Sequence, residues 1–507
     1  MVFNSFLFFG FFAVTGLLFD VVKQKWRWIV LLAASLLFIA FSAPKGIIFL
    51  LATCLITYFC TISIDRIYQN DGKVETRKES QEFKSRIIIT LDIVLNLGIL
   101  FATKYYNFFG EIVANIAHKP FSAISIILPL GISFYTFMMI GYAIDIYRKE
   151  YRAQTNFWKL FLFASYFPQL IDGPISRYND VQGTLFNPPD IEYKRCRDGL
   201  MLFAWGLFKK LCIADNIAIY VNMIFGNYQD YHGLIVFSGA VAYAFYIYAD
   251  FSGCIDMARG VSRYFGIELK DNFNHPYFAE SVEEFWRRWH ITLSLWFKDY
   301  LFYPVLRSKL ISRMSSKMRK SGHKKLNRIL PTSIALLVVW LFTGLWHGAR
   351  GTYVAWGLYY GVILIAANAI SVFRKRKEKT GWNKAASIFF TFIVICFGYI
   401  IFNSTTIASA FQMLKNVFSG PIISMAIIKK LGILFYKQVG ATVYFAITVI
   451  SFITFFLVDY LQYKGKNVYA WFFSRKKITK YVSLALFVLL LLFMMNRTSG
   501  DFTYMQF

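Results

Sequence analysis

The feature that most constrains this chain is a series of long apolar runs that recur from one end to the other. Runs of about 20 residues can cross the hydrocarbon core of a bilayer as α-helices, which satisfy all their backbone polar groups internally. The runs lack the alternation of apolar and polar residues that a membrane barrel requires. The pattern therefore predicts an all-α polytopic membrane protein with about eleven or twelve transmembrane helices.

The formal charge of +27 follows from Lys and Arg residues that cluster between the apolar runs. This is the distribution that the positive-inside rule expects of cytoplasmic loops, and no DNA- or RNA-binding motif accompanies it. We therefore expect membrane lipid as a partner and no nucleic acid. The segment 307–328 has nine Lys or Arg and no acid, which indicates a solvated cytoplasmic loop beside anionic headgroups. Loops near 23–27, 65–86, 148–156, 193–210, 307–328, 374–384 and 464–480 are predicted inside.

The order of the runs and loops predicts four regions. N-terminal transmembrane helices cover 1–150, and a catalytic core covers 151–370. C-terminal transmembrane helices cover 371–495, and an aromatic tail, 496–507, is predicted outside. None of the six cysteines forms a CxxC pair, so the sequence predicts neither a disulfide nor a metal site.

Two segments interrupt this pattern. Phe167–Pro174 contains two prolines, a glycine and Asp172, and such a segment cannot continue a lipid-facing helix. We predict a broken or re-entrant element buried in protein there. In 250–328, a helix from Glu283 through His290 to Tyr303 is predicted to lie in the membrane interface, with Ser281 as its N-cap. Its aromatic face holds Phe285, Trp289, Thr292, Trp296 and Tyr300, and its polar face holds Arg287, His290, Ser294 and Lys298.

Two histidines, His290 and His347, fall in structured aromatic segments. His347 follows Thr343 by one helical turn and lies between Gly344 and Gly348, small residues that permit close approach of another helix. An ionisable side chain at membrane depth is a candidate functional residue, although a structural role stays open for both. Imidazole can serve as the base in acyl transfer to a hydroxyl, whereas two histidines without a carboxylate cluster are a weak metal site.

Asp250 and Asp256 are predicted to end an apolar run. We expect them to pair with arginines such as Arg259, Arg263 or Arg287 rather than to act in catalysis.

Four stretches, in this order, resemble the membrane-bound O-acyltransferase superfamily: Tyr166–Ile175, Tyr248–Ala258, Phe285–Tyr300 and Thr343–Gly348. The resemblance is to the bacterial branch that holds alginate and peptidoglycan O-acetyltransferase subunits and the teichoic acid D-alanyl transfer protein. It implies transmembrane, re-entrant and interfacial helices around a central tunnel. It also implies His347 as the base and His290 as the second histidine. Asp172 stands where relatives often carry a small residue.

The same resemblance implies acetyl-CoA as cosubstrate without a metal, and we expect Arg287, Ser294 and Trp346 to bind it. The tail residues Phe502, Tyr504 and Phe507 resemble a C-terminal motif in which the tyrosine carries the acyl group outward. An interfacial aromatic anchor is the alternative.

The implied protein lies in a bacterial cytoplasmic membrane and works with an extracytoplasmic SGNH-type acetyltransferase on a polysaccharide or peptidoglycan. D-alanyl transfer to teichoic acid and a non-catalytic transporter or scaffold are the alternatives.

Overall fold

The computed structural model describes residues 1–69, 75–126, 128–170, 172–373, 379–419, 425–440 and 442–495. In these ranges the chain forms helices and no β-strand, so the predicted all-α class is confirmed.

Nine helices in the described residues are long and apolar enough to cross a membrane. Two shorter apolar helices accompany them, whereas the sequence predicted about eleven or twelve transmembrane helices. The chain is therefore a polytopic membrane protein. The nine are Gln24–Ser42, Pro44–Gln69, Glu79–Ile116, Leu234–Tyr264, Lys324–His347, Gly351–Phe373, Gly381–Asn403, Thr442–Tyr463 and Lys477–Met495, and the shorter two are Phe6–Val21 and Ile132–Tyr147.

The described chain divides into two compact units. The first contains Met1–Ala204 and Ile255–Lys270. Its helices, in order, are α1 (Phe6–Val21), α2 (Arg27–Ser42), α3 (Ile47–Gln69), α4 (Glu75–Leu100), α5 (Tyr106–Ile116), α6 (Ile132–Tyr147), α7 (Phe157–Ser165), α8 (Phe167–Leu170), α9 (Tyr178–Phe186) and the larger part of α10 (Tyr193–Phe208).

The second unit contains Trp205–Cys254 and the described residues from Asp271 onward. Its helices are α11 (Asp215–Gly226), the larger part of α12 (Leu234–Tyr264), α13 (Val282–Arg288), α14 (Ile291–Phe297), α15 (Tyr303–Leu306), α16 (Lys309–Lys320), α17 (Lys324–His347), α18 (Gly351–Phe373), α19 (Gly381–Asn403), α20 (Ile407–Val417), α21 (Met425–Val439), α22 (Thr442–Tyr463), α23 (Val468–Phe473) and α24 (Lys477–Met495).

Three predicted boundaries are wrong. The loop predicted at 193–210 is helical, because α10 continues through a π-helical turn, Lys209–Ala214, into α11. The loop predicted at 307–328 contains α16, whose Ile311 and Met318 are buried while its basic side chains face outward. The apolar run at about 122–146 predicts a helix over its whole length, but α6 begins only at Ile132, after an irregular stretch.

The predicted broken element is confirmed. After α7 the backbone turns at Tyr166, forms the single turn of α8, and reaches Asp172 in a left-handed conformation at φ 60°. Phe167, Gln169 and Asp172 are buried, so this irregular backbone lies inside the first unit. The Phe167 amide donates to Ser35 Oγ at 3.1 Å and the Gln169 side chain donates to the Phe163 carbonyl at 2.7 Å. Side chains and backbone thus replace the hydrogen bonds that a continuous helix would make.

Candidate active site

The second unit contains a cavity of about 630 Å³. Its wall consists of side chains from α13, α14, α17 and α18. Both histidines singled out in the sequence, His290 and His347, line it. Imidazoles that are 57 residues apart in the chain therefore face one space, which is large enough for the reacting part of a substrate.

His347 is the last residue of α17 and is almost fully buried, at 4% exposure. Its ring contacts Trp356 and Phe402 edge to face, with centroids 5.0 and 5.1 Å away. The C-terminal end of a helix carries a partial negative charge, which favours a cation at this position. The site therefore suits an imidazole that gains a proton during a reaction.

Glycines bring α17 and α18 together beside His347. A Cβ at Gly344 would overlap the Tyr353 carbonyl, and a Cβ at Gly357 would overlap the Trp340 carbonyl. The close approach expected at Gly344 is thus confirmed, and it fixes the end of α17 against the aromatic residues of α18.

His290 lies at a break in the helix that the sequence predicted from Glu283 to Tyr303. That single helix is wrong: α13 ends at Arg288, Trp289 is extended, and His290 is left-handed at φ 47°, ψ 54°. The predicted N-cap at Ser281 is confirmed, since its hydroxyl accepts from the Glu284 amide at 3.2 Å. Local helical periodicity continues through the break, so the pattern alone could not locate it.

The break is held by the segment before α13. The Asn274 amide donates to the Arg288 carbonyl at 2.9 Å, and the Ile291 amide donates to the Asn272 carbonyl at 3.0 Å. Asn272 Oδ1 also accepts from the Thr292 amide and the Thr292 hydroxyl, each at 3.0 Å. Asn272 therefore caps the N-terminus of α14 from a different segment. These hydrogen bonds offset the energetic cost of a left-handed conformation at His290, which is not a glycine.

Asn272 also determines which nitrogen of His290 carries the proton. Asn272 Oδ1 lies 3.3 Å from His290 Nδ1, and an amide oxygen can only accept. Because the Thr292 amide fixes which end of the Asn272 side chain is the oxygen, Nδ1 must donate and Nε2 carries a lone pair. His290 lies outside the nine membrane-crossing helices, and burial lowers its pKa from 6.5 to about 3. The ring is therefore neutral near pH 7.

The structure separates the three residues expected to bind the acyl donor. Ser294 lines the cavity and donates to the Trp286 carbonyl at 3.2 Å. Arg287 lines its exposed side and pairs with Glu283 at 3.6 Å. Trp346 lies behind the wall, with its indole 5.6 Å from the His290 ring and 5.0 Å from the His347 ring. Trp346 thus contacts both imidazoles and is positioned to support them.

A cluster of aromatic residues beside the cavity was not foreseen. Trp286 packs against Trp340, Trp356 and Tyr360, with ring centroids 4.7, 5.4 and 4.9 Å away. Trp286 and Trp340 line the cavity. In the sequence, Trp356 and Tyr360 are four residues apart, which places them on one face of a helix. That spacing is typical of any buried helix face, so it does not indicate a cluster beside the cavity.

The predicted pairing of Asp256 with an arginine is confirmed, whereas Asp250 also forms an ion pair but with a lysine instead of the predicted arginine. Asp256 lies 3.7 Å from Arg259, whereas Asp250 is buried within α12 and pairs with Lys210 at 2.8 Å. Lys210 also pairs with Asp215 at 2.9 Å. In the sequence, Lys210 lies at the end of the predicted cytoplasmic loop 193–210, so the pattern does not predict that it is buried in an ion pair.

Tyr504, with the rest of the tail, lies outside the described residues.

The sequence profile of the MBOAT, membrane-bound O-acyltransferase family, matches residues 36–318, a range that includes His290 and ends before His347. The chain is 31% identical over 451 residues to a peptidoglycan O-acetyltransferase of Helicobacter pylori, covering 82% of this chain and 80% of that protein.

Two further relatives come from other bacteria. A probable alginate O-acetylase of Pseudomonas aeruginosa is 31% identical over 430 residues, which is 83% of this chain and 75% of that protein. A teichoic acid D-alanyltransferase of Bacillus subtilis is 28% identical over 362 residues, which is 68% of this chain and 84% of that protein.

Proposed function

Since the chain belongs to the membrane-bound O-acyltransferase family, we propose that it takes an acetyl group from acetyl-CoA and passes it across the membrane. The acetyl group is finally transferred to an extracellular polysaccharide or to peptidoglycan. The relatives named for peptidoglycan and alginate O-acetylation support the acetyl group and the glycan class. Their bacterial sources support a bacterial cytoplasmic membrane as the location.

The observation that carries the proposal is the shared cavity of His290 and His347. Acyl transfer needs a base within hydrogen-bond reach of the attacking hydroxyl and a space that excludes bulk water. The cavity offers two buried imidazoles, and Arg287 and Lys298 lie at its exposed side. Two cations there suit the phosphates of a CoA thioester, which are anionic.

In the proposed step His347 removes the proton of an acceptor hydroxyl while that oxygen attacks the thioester carbonyl. A C–O bond forms, the C–S bond breaks, and the CoA sulfur leaves as a thiolate. The imidazolium of His347 then returns the proton to that sulfur. The C-terminal end of α17 stabilises the imidazolium in between.

The second histidine has a different role in this step. The neutral ring of His290 donates through Nδ1 to Asn272, so its Nε2 can accept a hydrogen bond but cannot donate one. His290 therefore suits a second N–H or O–H of the acceptor, because the hydroxyl that attacks has one proton and gives it to His347. Orientation of the acceptor thus fits His290 better than polarisation of the thioester carbonyl, which would need an N–H donor at Nε2.

The outward half of the route is proposed from the sequence of the tail. Tyr504 accepts the acetyl group from the cavity as a phenyl ester and presents it outside to an SGNH-type acetyltransferase. To test this, the C-terminal peptide is analysed by mass spectrometry in cells that lack the partner. An acetylated Tyr504 is expected there, and its absence would contradict the shuttle but not the chemistry at His347.

The family function is tested by measuring CoA release from acetyl-CoA with the purified chain in micelles. We expect CoA release that requires the acetyl thioester, and continued turnover when the partner and an acceptor glycan are added to remove the acetyl group from Tyr504. A transporter or scaffold would be folded in the same micelles but would release no CoA.

D-alanyl transfer is the second candidate, because the chain spans 84% of a teichoic acid D-alanyltransferase. Supplying D-alanyl carrier protein in place of acetyl-CoA separates the two functions. We expect acetyl-CoA to be consumed and the carrier-bound D-alanyl group to remain. Consumption of the carrier thioester alone would replace the proposed donor.

A further inference from the structure

A second buried polar cluster lies in the first unit, apart from the proposed reaction. The helices α3, α4 and α6 pack against one another. In a membrane protein, helix–helix interfaces of this kind are usually lined by apolar or small residues, yet fully buried polar side chains occur here. The group comprises Thr53 and Thr57 on α3, Asp92 and Asn96 on α4, and Thr136 on α6, all at 0% exposure.

The spacing brings these groups together. Thr53 and Thr57 are one helical turn apart, as are Asp92 and Asn96, so each pair lies on one face of its helix. The Asn96 side chain donates to Thr57 Oγ1 at 3.0 Å, which joins the two faces. Thr57 and Asn96 also lie close enough to the Asp92 carboxyl to interact with it, although not in the geometry of a normal hydrogen bond.

The cluster brings together several buried oxygen atoms whose hydrogen-bonding capacity is not used within the described part of the chain. Among the described residues, neither carboxylate oxygen of Asp92 has a hydrogen-bond partner of normal geometry, and neither has Asn96 Oδ1. Thr53 Oγ1 and Thr136 Oγ1 are likewise without one in that part of the chain. A carboxylate at membrane depth without a counter-charge is costly.

The hydrogen bond from Asn96 to Thr57 satisfies neither Asn96 Oδ1 nor the oxygens of Asp92. Within the residues that the structure describes, a neutral carboxyl would still leave Asn96 Oδ1 and the free hydroxyls of Thr53 and Thr136 without a partner. A small cation compensates the charge and satisfies several oxygens at once. One carboxylate matches one positive charge, and carboxylate, amide and hydroxyl oxygens are ligands that hard cations prefer. We propose that Asp92, Asn96, Thr53 and Thr57 form a binding site for one sodium ion that ties α3 to α4.

The test uses the full chain in detergent micelles. The unfolding midpoint is followed by tryptophan fluorescence while choline chloride is replaced by sodium chloride at constant ionic strength and pH. We expect a saturable rise in the midpoint with sodium. Asp92→Asn and the isosteric Thr57→Val should weaken the apparent sodium affinity by roughly tenfold to a hundredfold, since each removes a bond to a charge.

Asp65→Asn is the matched control. Asp65 lies on α3 and pairs with Arg152 at 2.9 Å, so its loss should lower the midpoint and leave the sodium increment unchanged. Equilibrium dialysis of the wild-type chain against radioactive sodium provides a measurement that needs no variant to fold. One bound ion per chain is expected.

Two results would overturn the proposal. The first is a wild-type chain that binds no sodium in dialysis. The second is a midpoint that is equal in sodium and choline but rises as the pH falls, which would mean that Asp92 carries a proton.

Discussion

The two histidines of the cavity are held in opposite ways. His347 ends a regular helix and is positioned by packing against Trp346, Trp356 and Phe402. His290 lies at a left-handed break and is positioned by a hydrogen bond to Asn272. The His347 ring, held by aromatic packing at a helix C-terminus, can gain a proton. The His290 ring already donates its Nδ1 proton to Asn272, so it suits the orientation of a substrate. The difference supports the proposed assignment of His347 as the base and His290 as a positioning group.

The largest expected effect comes from His347→Ala. Without the base, CoA release should fall by roughly 10²- to 10⁴-fold, the usual contribution of general acid–base catalysis. The purified variant is assayed with acetyl-CoA beside His323→Ala, a control that removes an exposed histidine of the basic segment. The control should retain full activity. Unchanged turnover in a normally folded His347→Ala chain would remove His347 from the reaction.

Replacing His290 should separate orientation from basicity. His290→Ala should lower kcat by roughly tenfold to a hundredfold, because a hydrogen bond to the acceptor is lost. In His290→Gln the amide oxygen can take the place of Nε2 as an acceptor, so part of that loss should be recovered. Equal loss in both variants would show that His290 transfers the proton itself.

Smaller effects are expected at the exposed side of the cavity. Arg287→Gln combined with Lys298→Gln should raise KM for acetyl-CoA several-fold and leave kcat nearly unchanged, because exposed charges contribute little each. The increase should shrink at high salt, where the attraction is screened. A lowered kcat with unchanged KM would place these residues in the chemical step.

The smallest effect concerns stability against acid. Burial lowers the pKa of His290 to about 3 in the folded chain, against about 6.5 when unfolded. The stability that this neutral ring contributes is complete above the unfolded value and is lost as the pH falls below it. The loss should be at most about 1.4 kcal/mol per pH unit. His290→Gln should therefore show a flatter decline of the unfolding midpoint between pH 7 and 5, and parallel declines would contradict the burial of a neutral ring.

The parts of the site that depend on local pattern are predictable from the sequence. Apolar length predicted α17, the small Gly344 predicted the close approach of α18, and the prolines of Phe167–Pro174 predicted broken backbone. The break at His290 was missed, since it depends on pairing with Asn272 and Asn274 in an earlier segment. The buried position of Lys210 was not predicted, because one carboxylate partner, Asp250, is remote in the chain and the other, Asp215, lies beyond the next helical turn.

The most direct test of the central claim is rescue of His347→Ala by added imidazole. If His347 acts as the base, its removal leaves a ring-sized space among Trp356 and Phe402 beside the cavity, and free imidazole can enter. CoA release should then recover with imidazole concentration, and with a pH dependence that follows the pKa of the added base. Release that stays at the level of the variant at every imidazole concentration, in a chain that still binds acetyl-CoA, would contradict the assignment.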